Sequence, residues 1–159
     1  MTAPCLKRVW SHPVYWLAFA GGAGCAPKAP GTAGTLVAVP LYVMAAQLPF
    51  AWLIVLTVGM FFVGITICDW TARDFGVHDH PGIVWDEVVG YFITMLAAPA
   101  GWVWWIAGFA LFRLFDIWKP WPIRTCDTRV GGGFGIMLDD VIAGVYAGGI
   151  LYLSGLCFG

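Results

Sequence analysis

Asp86 with Glu87, and Asp139 with Asp140, are two adjacent pairs of carboxylates, each followed by an apolar run. Four acids at two predicted helix N-termini make a plausible Mg²⁺ site, because a hard cation takes oxygen ligands and keeps positions open for phosphate oxygens. Spacing alone does not identify the metal. Between the pairs stand Arg113, Asp116 and Lys119 at spacings of three, so they share one helical face. Intrahelical ion pairing and a helix C-terminus account for Arg113 and Asp116, whereas Lys119 lies in a stiff, interfacial Lys-Pro-Trp-Pro turn. The stretch FRLFDIWKPWPIRTCDTRVGGGFGIMLDDVIAG, residues 112–144, holds four of the eight basic and four of the nine acidic residues. Charges of both signs gathered around Gly131, Gly132, Gly133 and Gly135 point to a site for a charged group.

Two more polar segments belong with it. PKAPGTAGT, residues 27–35, runs into a predicted helix N-terminus. Its backbone donors, with Lys28, Thr32 and Thr35, suit an anion such as phosphate, and a plain loop with Thr32 as N-cap explains it equally well. HDHPGIVWDEVVG, residues 78–90, sets Asp79 ahead of Pro81 and the acidic pair inside the next helix. Neighbouring helical residues point about 100° apart, so one acid of a pair can face a site while the other orients it. His78 and His80 have an HxH spacing that fits a surface loop better than a transition-metal site.

The elements that position these residues are those of a membrane protein. The chain has 159 residues, 60% of them hydrophobic and 11% charged, with a mean hydropathy of +0.82. A soluble domain carries about twice that share of charge. The net charge of −1 favours neither nucleic acid nor an acidic macromolecule as partner, and leaves lipid. The length allows one domain, residues 1–159. Five cysteines, an odd number without a CxxC pair, read as free thiols in a reducing compartment. No removable signal peptide is expected behind Lys7 and Arg8.

The pattern predicts an all-α, polytopic membrane bundle of about five helices: Ala33–Leu48, Phe50–Arg73, Ile83–Ala98, Trp102–Ile117 and Ile136–Gly155. A short aromatic interfacial helix around Val9–Ala20 precedes them. Pro49 and the Pro99-Ala100-Gly101 break read as hairpin tips. A 16-residue helix spans roughly 24 Å against a hydrocarbon core of about 30 Å, so the polar ends need tilt, thinning or protein cover. No charged residue lies between Thr32 and Asp69, between Val88 and Phe112, or after Asp140. The hairpin drawing therefore gathers the polar helix ends at one face, expected to be cytoplasmic by the positive-inside tendency. Ala143, Gly144, Ala147, Gly148 and Gly149 form a small-residue face for close helix packing.

The blocks PKAPGTAGT, IVWDEVVG and the segment 112–144 resemble, in order and spacing, the phosphatidylglycerophosphatase A family, and the likeness covers Ala18–Ala147. The resemblance implies Mg²⁺-dependent removal of the phosphomonoester from phosphatidylglycerophosphate, giving phosphatidylglycerol, in the bacterial inner membrane. It carries over Lys28, Thr32, Asp79, Asp86, Glu87, Arg113, Asp116, Lys119, Asp127, Asp139 and Asp140. The chemistry agrees with it. Glu87, Asp139 and Asp140 are expected to hold Mg²⁺, with Asp86 as ligand or orienting group. Lys28, Thr32, Arg113, Lys119 and Arg129 are expected to engage phosphate, and Asp79, Asp116 or Asp127 to position or deprotonate water. No aspartyl-phosphate DxD and no Ser/His/Asp order is visible, which favours direct attack by water. Two other classes share parts of this pattern: a lipid phosphatidyltransferase, whose DG and AR spacing is missing, and a non-enzymatic lipid-binding or transport protein, which leaves the convergence of polar segments unexplained.

Overall fold

The computed structural model describes residues 3–77 and 80–158, and among them the chain is helical throughout, without strands. The elements are α1 (Ala3–Val9), α2 (Pro13–Ala18), a 3₁₀ segment (Ala20–Cys25), α3 (Pro30–Ala45), α4 (Phe50–Phe75), α5 (Trp85–Leu96), α6 (Trp102–Trp118), α7 (Ile123–Arg129) and α8 (Gly132–Phe158). The five expected helices correspond to α3, α4, α5, α6 and α8, with shifted ends. The N-terminal aromatic segment is two short helices and a 3₁₀ turn instead of one, and α7 was not foreseen.

Short α5 is the innermost helix, packed on α3, α4, α6 and α8. Its 12 residues span only about 18 Å, and Val88, Val89, Tyr91, Phe92, Thr94 and Met95 are all buried. The sequence lets backbones close in around it. A Cβ on Gly144 would lie 2.6 Å from the Gly90 carbonyl oxygen, and a Cβ on Gly90 would lie 2.5 Å from the Phe112 ring, so α8, α5 and α6 meet where side chains are missing. Antiparallel α5 and α6 are also joined by Tyr91 Oη, which donates to the Trp105 carbonyl at 3.1 Å. Ala143 and Ala147 of the expected small-residue face are buried, but Gly149 faces open space.

Two helices, Phe50–Asp74 and Gly132–Cys157, are long and apolar enough to cross a membrane. They differ in cover: α4 turns Trp52, Val55, Phe62 and Val63 outward, and only 22% of its apolar window is buried, against 50% for α8. A core helix of a soluble protein would be mostly covered.

Three local expectations need correction. Cys5 and Cys25 form a disulfide, with Cα atoms 5.8 Å apart, so the five cysteines are not all thiols; Cys68, Cys126 and Cys157 stand outside any disulfide. Counting cysteines cannot reveal that α1 folds back onto the 3₁₀ segment. Thr32 is not an N-cap: Pro30 begins α3, behind Ala29 in the left-handed region at φ 47°, and Thr32 lies within the first turn. Lastly, α8 begins at Gly132 and not Ile136. The glycines are its first turn, because Asp69 Oδ1 accepts the Gly133 N–H at 3.2 Å and a Cβ on Gly133 would lie 1.9 Å from the Ile65 carbonyl oxygen.

Candidate active site

The Gly90–Gly144 crossing sets the first turn of α5 beside residues 139–140, two turns inside α8, and this brings the acidic pairs together. Asp86, Glu87 and Asp140 offer carboxylate oxygens within 4.8 Å of one another. Asp116, from the end of α6, makes a second such group with Asp139 and Asp140. Both acids of each pair thus join the cluster, so neither pair splits into one acid that faces it and one that does not. Asp86, Asp139 and Asp140 are buried, at 8%, 7% and 3% exposure. Asp86 Oδ1 accepts the Glu87 N–H at 3.1 Å.

Two cations enter the cluster. Arg113 pairs closely with Asp116, one turn on, and its Nη1 is 3.7 Å from Glu87 Oε1. Lys119 ends α6 in a left-handed conformation, φ 45°, which swings its side chain back. Its Nζ donates to Asp139 at 2.6 Å and to Asp127 at 2.9 Å. Burial opposes the charge on Lys119, but the hydrogen bonds and charges of Asp139 and Asp127 outweigh it and hold the ammonium above its ordinary range.

These contacts do not satisfy the site. Glu87 Oε2, Asp140 Oδ1 and Arg113 Nε are buried without a hydrogen-bond partner. An unpaired buried polar atom costs about 1–3 kcal/mol, more when charged, so three in one cluster mark a place built for something else. Carboxylate oxygens left open in a group with hard-oxygen spacing fit a divalent cation; an open guanidinium N–H fits an anion.

Other expected residues fare differently. Asp127 is 37% exposed and bound to Lys119, outside both acidic groups. Lys28 and Arg129 are exposed and pair with none of these acids among the described residues. Thr32 is half-buried in the first turn of α3. Asp79 and His78 lie outside the described residues. His80 Nδ1 accepts the Gly82 N–H at 3.0 Å, which is a local turn. A residue not singled out in the sequence matters more than several that were: a Cβ on Gly31 would lie 2.1 Å from Glu87 Oε1 and 3.1 Å from Arg113 Nη1. Only glycine lets the start of α3 rest on that ion pair. Its place in the phosphate-loop motif was the available signal.

Two clefts lie elsewhere on the helix ends, and none of the cluster's acids or cations lines either of them. One, of about 560 Å³, is lined by Arg8, Pro27, Pro30 and His80 and adjoins the loop that carries Gly31; the other, of about 630 Å³, is lined by Asp69, Arg73 and the glycine run.

Residues 16–154 match the family model described as phosphatidylglycerophosphatase A. The chain is 48% identical to the phosphatidylglycerophosphatase A of Escherichia coli, over 91% of this chain and 85% of that one. It is 46% identical to that of Haemophilus influenzae, over 91% and 90%. A third relative, from Bacteroides thetaiotaomicron, carries the provisional name phosphatidylinositol-3-phosphatase and is 42% identical over 79% of this chain and 83% of its own. No solved structure matches. A match that spans α2 to α8 and contains every acid of the cluster settles the lineage: the chain belongs to the phosphatidylglycerophosphatase A family.

Proposed function

We propose that this chain is a phosphoric monoester hydrolase that converts phosphatidylglycerophosphate to phosphatidylglycerol and phosphate in phospholipid biosynthesis. It acts as one membrane-embedded domain, residues 1–159, that crosses the bacterial inner membrane several times with its site at the cytoplasmic face. The observation that carries the reading is the buried acid cluster with unpartnered oxygens at Glu87 and Asp140, next to an unpartnered Arg113 N–H. Membership of the family and the outward apolar face of α4 support the substrate and the membrane.

Asp86, Glu87, Asp139 and Asp140 would hold Mg²⁺. When bound, the ion neutralises charge on the phosphoryl oxygens and lowers the pKa of water. Arg113 donates its open Nε–H to a phosphoryl oxygen, while its contacts to Asp116 and Glu87 hold the guanidinium plane still. Lys119 holds Asp139 in place and presents positive charge at the rim with Asp127. Asp116, within the cluster, orients the attacking water and takes up its proton, and the phosphate passes to water without an enzyme-bound intermediate. Lys28 and Arg129, both exposed, draw the anionic headgroup towards the site.

The test is phosphate release from phosphatidylglycerophosphate by the purified chain in detergent, with Mg²⁺ and after chelation. Release that depends on Mg²⁺ is expected, and phosphatidylinositol 3-phosphate serves as the comparison substrate. A phosphatidyltransferase or a transporter would release none. Recovery of labelled phosphate on the protein would refute the direct route.

A further inference from the structure

We propose that the acid cluster takes two divalent cations, with Asp140 as the ligand common to both. The inference rests on the phosphatase reading and adds the number of ions and the residue that joins them.

The acids form two groups of three, Asp86–Glu87–Asp140 and Asp116–Asp139–Asp140, which share one member. Asp140 is 3% exposed, and its Oδ1 has no partner. Glu87 Oε2 is a second open oxygen, and it belongs to one group only. Oxygens on opposite sides of a Mg²⁺ ion lie about 4.2 Å apart. Each group, with oxygens within 4.8 Å, can therefore close on an ion through a shift of under about 1 Å. Arg113 marks the seam, because Nη1 reaches Asp116 in one group and Glu87 in the other.

Charge decides the number. With Asp127, which shares Lys119, six carboxylates face Arg113 and Lys119, which leaves four negative charges uncompensated. One divalent ion would still leave two net negative charges against a phosphomonoester that carries about −1.5 to −2 near neutral pH. Two ions neutralise the site. Paired ions about 3.5–4 Å apart also clamp the attacking and leaving oxygens of an in-line displacement.

Mn²⁺ replaces Mg²⁺ as the probe, titrated into the purified full-length chain in detergent and followed by electron paramagnetic resonance. Two Mn²⁺ per chain with a spin-coupled spectrum are expected. Asp116→Asn and Glu87→Gln should each bind one uncoupled ion, and Asp140→Asn should lose the coupled signal. One ion per wild-type chain, or two without coupling, overturns the proposal, as does a coupled pair in either single-group variant. The wild-type titration stands even where a variant fails to fold. One ion with phosphate release would refute the second ion and spare the phosphatase; two coupled ions without release would do the reverse.

Discussion

The two ends of the helical bundle are built from the same helices and treat their polar groups in opposite ways. At the tips, residues 46–49 and 97–101, a cleft of about 320 Å³ is lined by Tyr42, Gln47, Pro99 and Trp105 and by no charged residue. The polar groups there are matched: Tyr42 Oη donates to the Met95 carbonyl at 3.1 Å, and the Leu48 and Ala98 N–H groups are taken by Ala45 and Met95. At the other end the same helices bury Asp86, Asp139 and Asp140 and leave two carboxylate oxygens and a guanidinium N–H without partners. The matched end holds the bundle together; the unmatched end is where the cations and the phosphate are proposed to bind. Frustration confined to one end of an otherwise consistent structure is what a functional site looks like.

The contrast can be broken by substitution. The largest effect belongs to Asp140→Asn, which should lower phosphate release by about 10³-fold. Because it removes a buried charge among like charges, it should not lower the melting temperature of the metal-free protein. A parallel loss of fold and activity would show that Asp140 supports structure alone.

Gly31→Ala comes next. The added methyl group would collide with Glu87 Oε1, 2.1 Å away, so a loss of about 10–100-fold is expected, the range for disturbed ligand support. Shortening the acid in the same chain, Gly31→Ala with Glu87→Asp, should restore activity above Gly31→Ala alone. If the double variant is no better, the contact does not position Glu87.

Lys119→Met should cost about 10-fold, at the lower end of that range, by releasing Asp139, with Lys119→Arg in between. Assays of the initial rate at saturating and limiting substrate separate this from lost headgroup binding, since a positioning role lowers kcat more than it raises KM.

The smallest effect on catalysis is expected at the tips. A Cβ on Gly155 would lie 2.5 Å from Pro99 Cγ, so Gly155→Ala should destabilise the fold by about 1–3 kcal/mol. Phosphate release per folded molecule should stay within about 2-fold of wild type, as nothing at the tips touches the acids. A fall comparable to that of Lys119→Met would mean that the two ends are coupled.

Much of this was legible without coordinates, for identifiable reasons. Long apolar runs bounded by Pro49 and Pro99 define helices because proline and glycine act locally, and adjacent acids are visible as pairs. The misses share a cause. Cys5 with Cys25, and Gly31 with Glu87, are contacts between elements distant in sequence, which spacing does not encode. The N-cap placed at Thr32 failed because Pro30 started the helix earlier, and α7 was missed because seven residues with no apolar periodicity look like a loop.

By itself the sequence determined the helical class, the polar segments, and the charge types that had to share a site, since composition and local backbone chemistry act residue by residue. Tertiary structure alone decided which charges meet. The Gly90–Gly144 crossing draws α5 and α8 together and unites Asp86 and Glu87 with Asp139 and Asp140. The left-handed turn at Lys119 sends its ammonium to Asp139 and Asp127 and away from solvent. Electrostatic energy at a few ångströms depends on distance and burial, and both arise only when the helices pack.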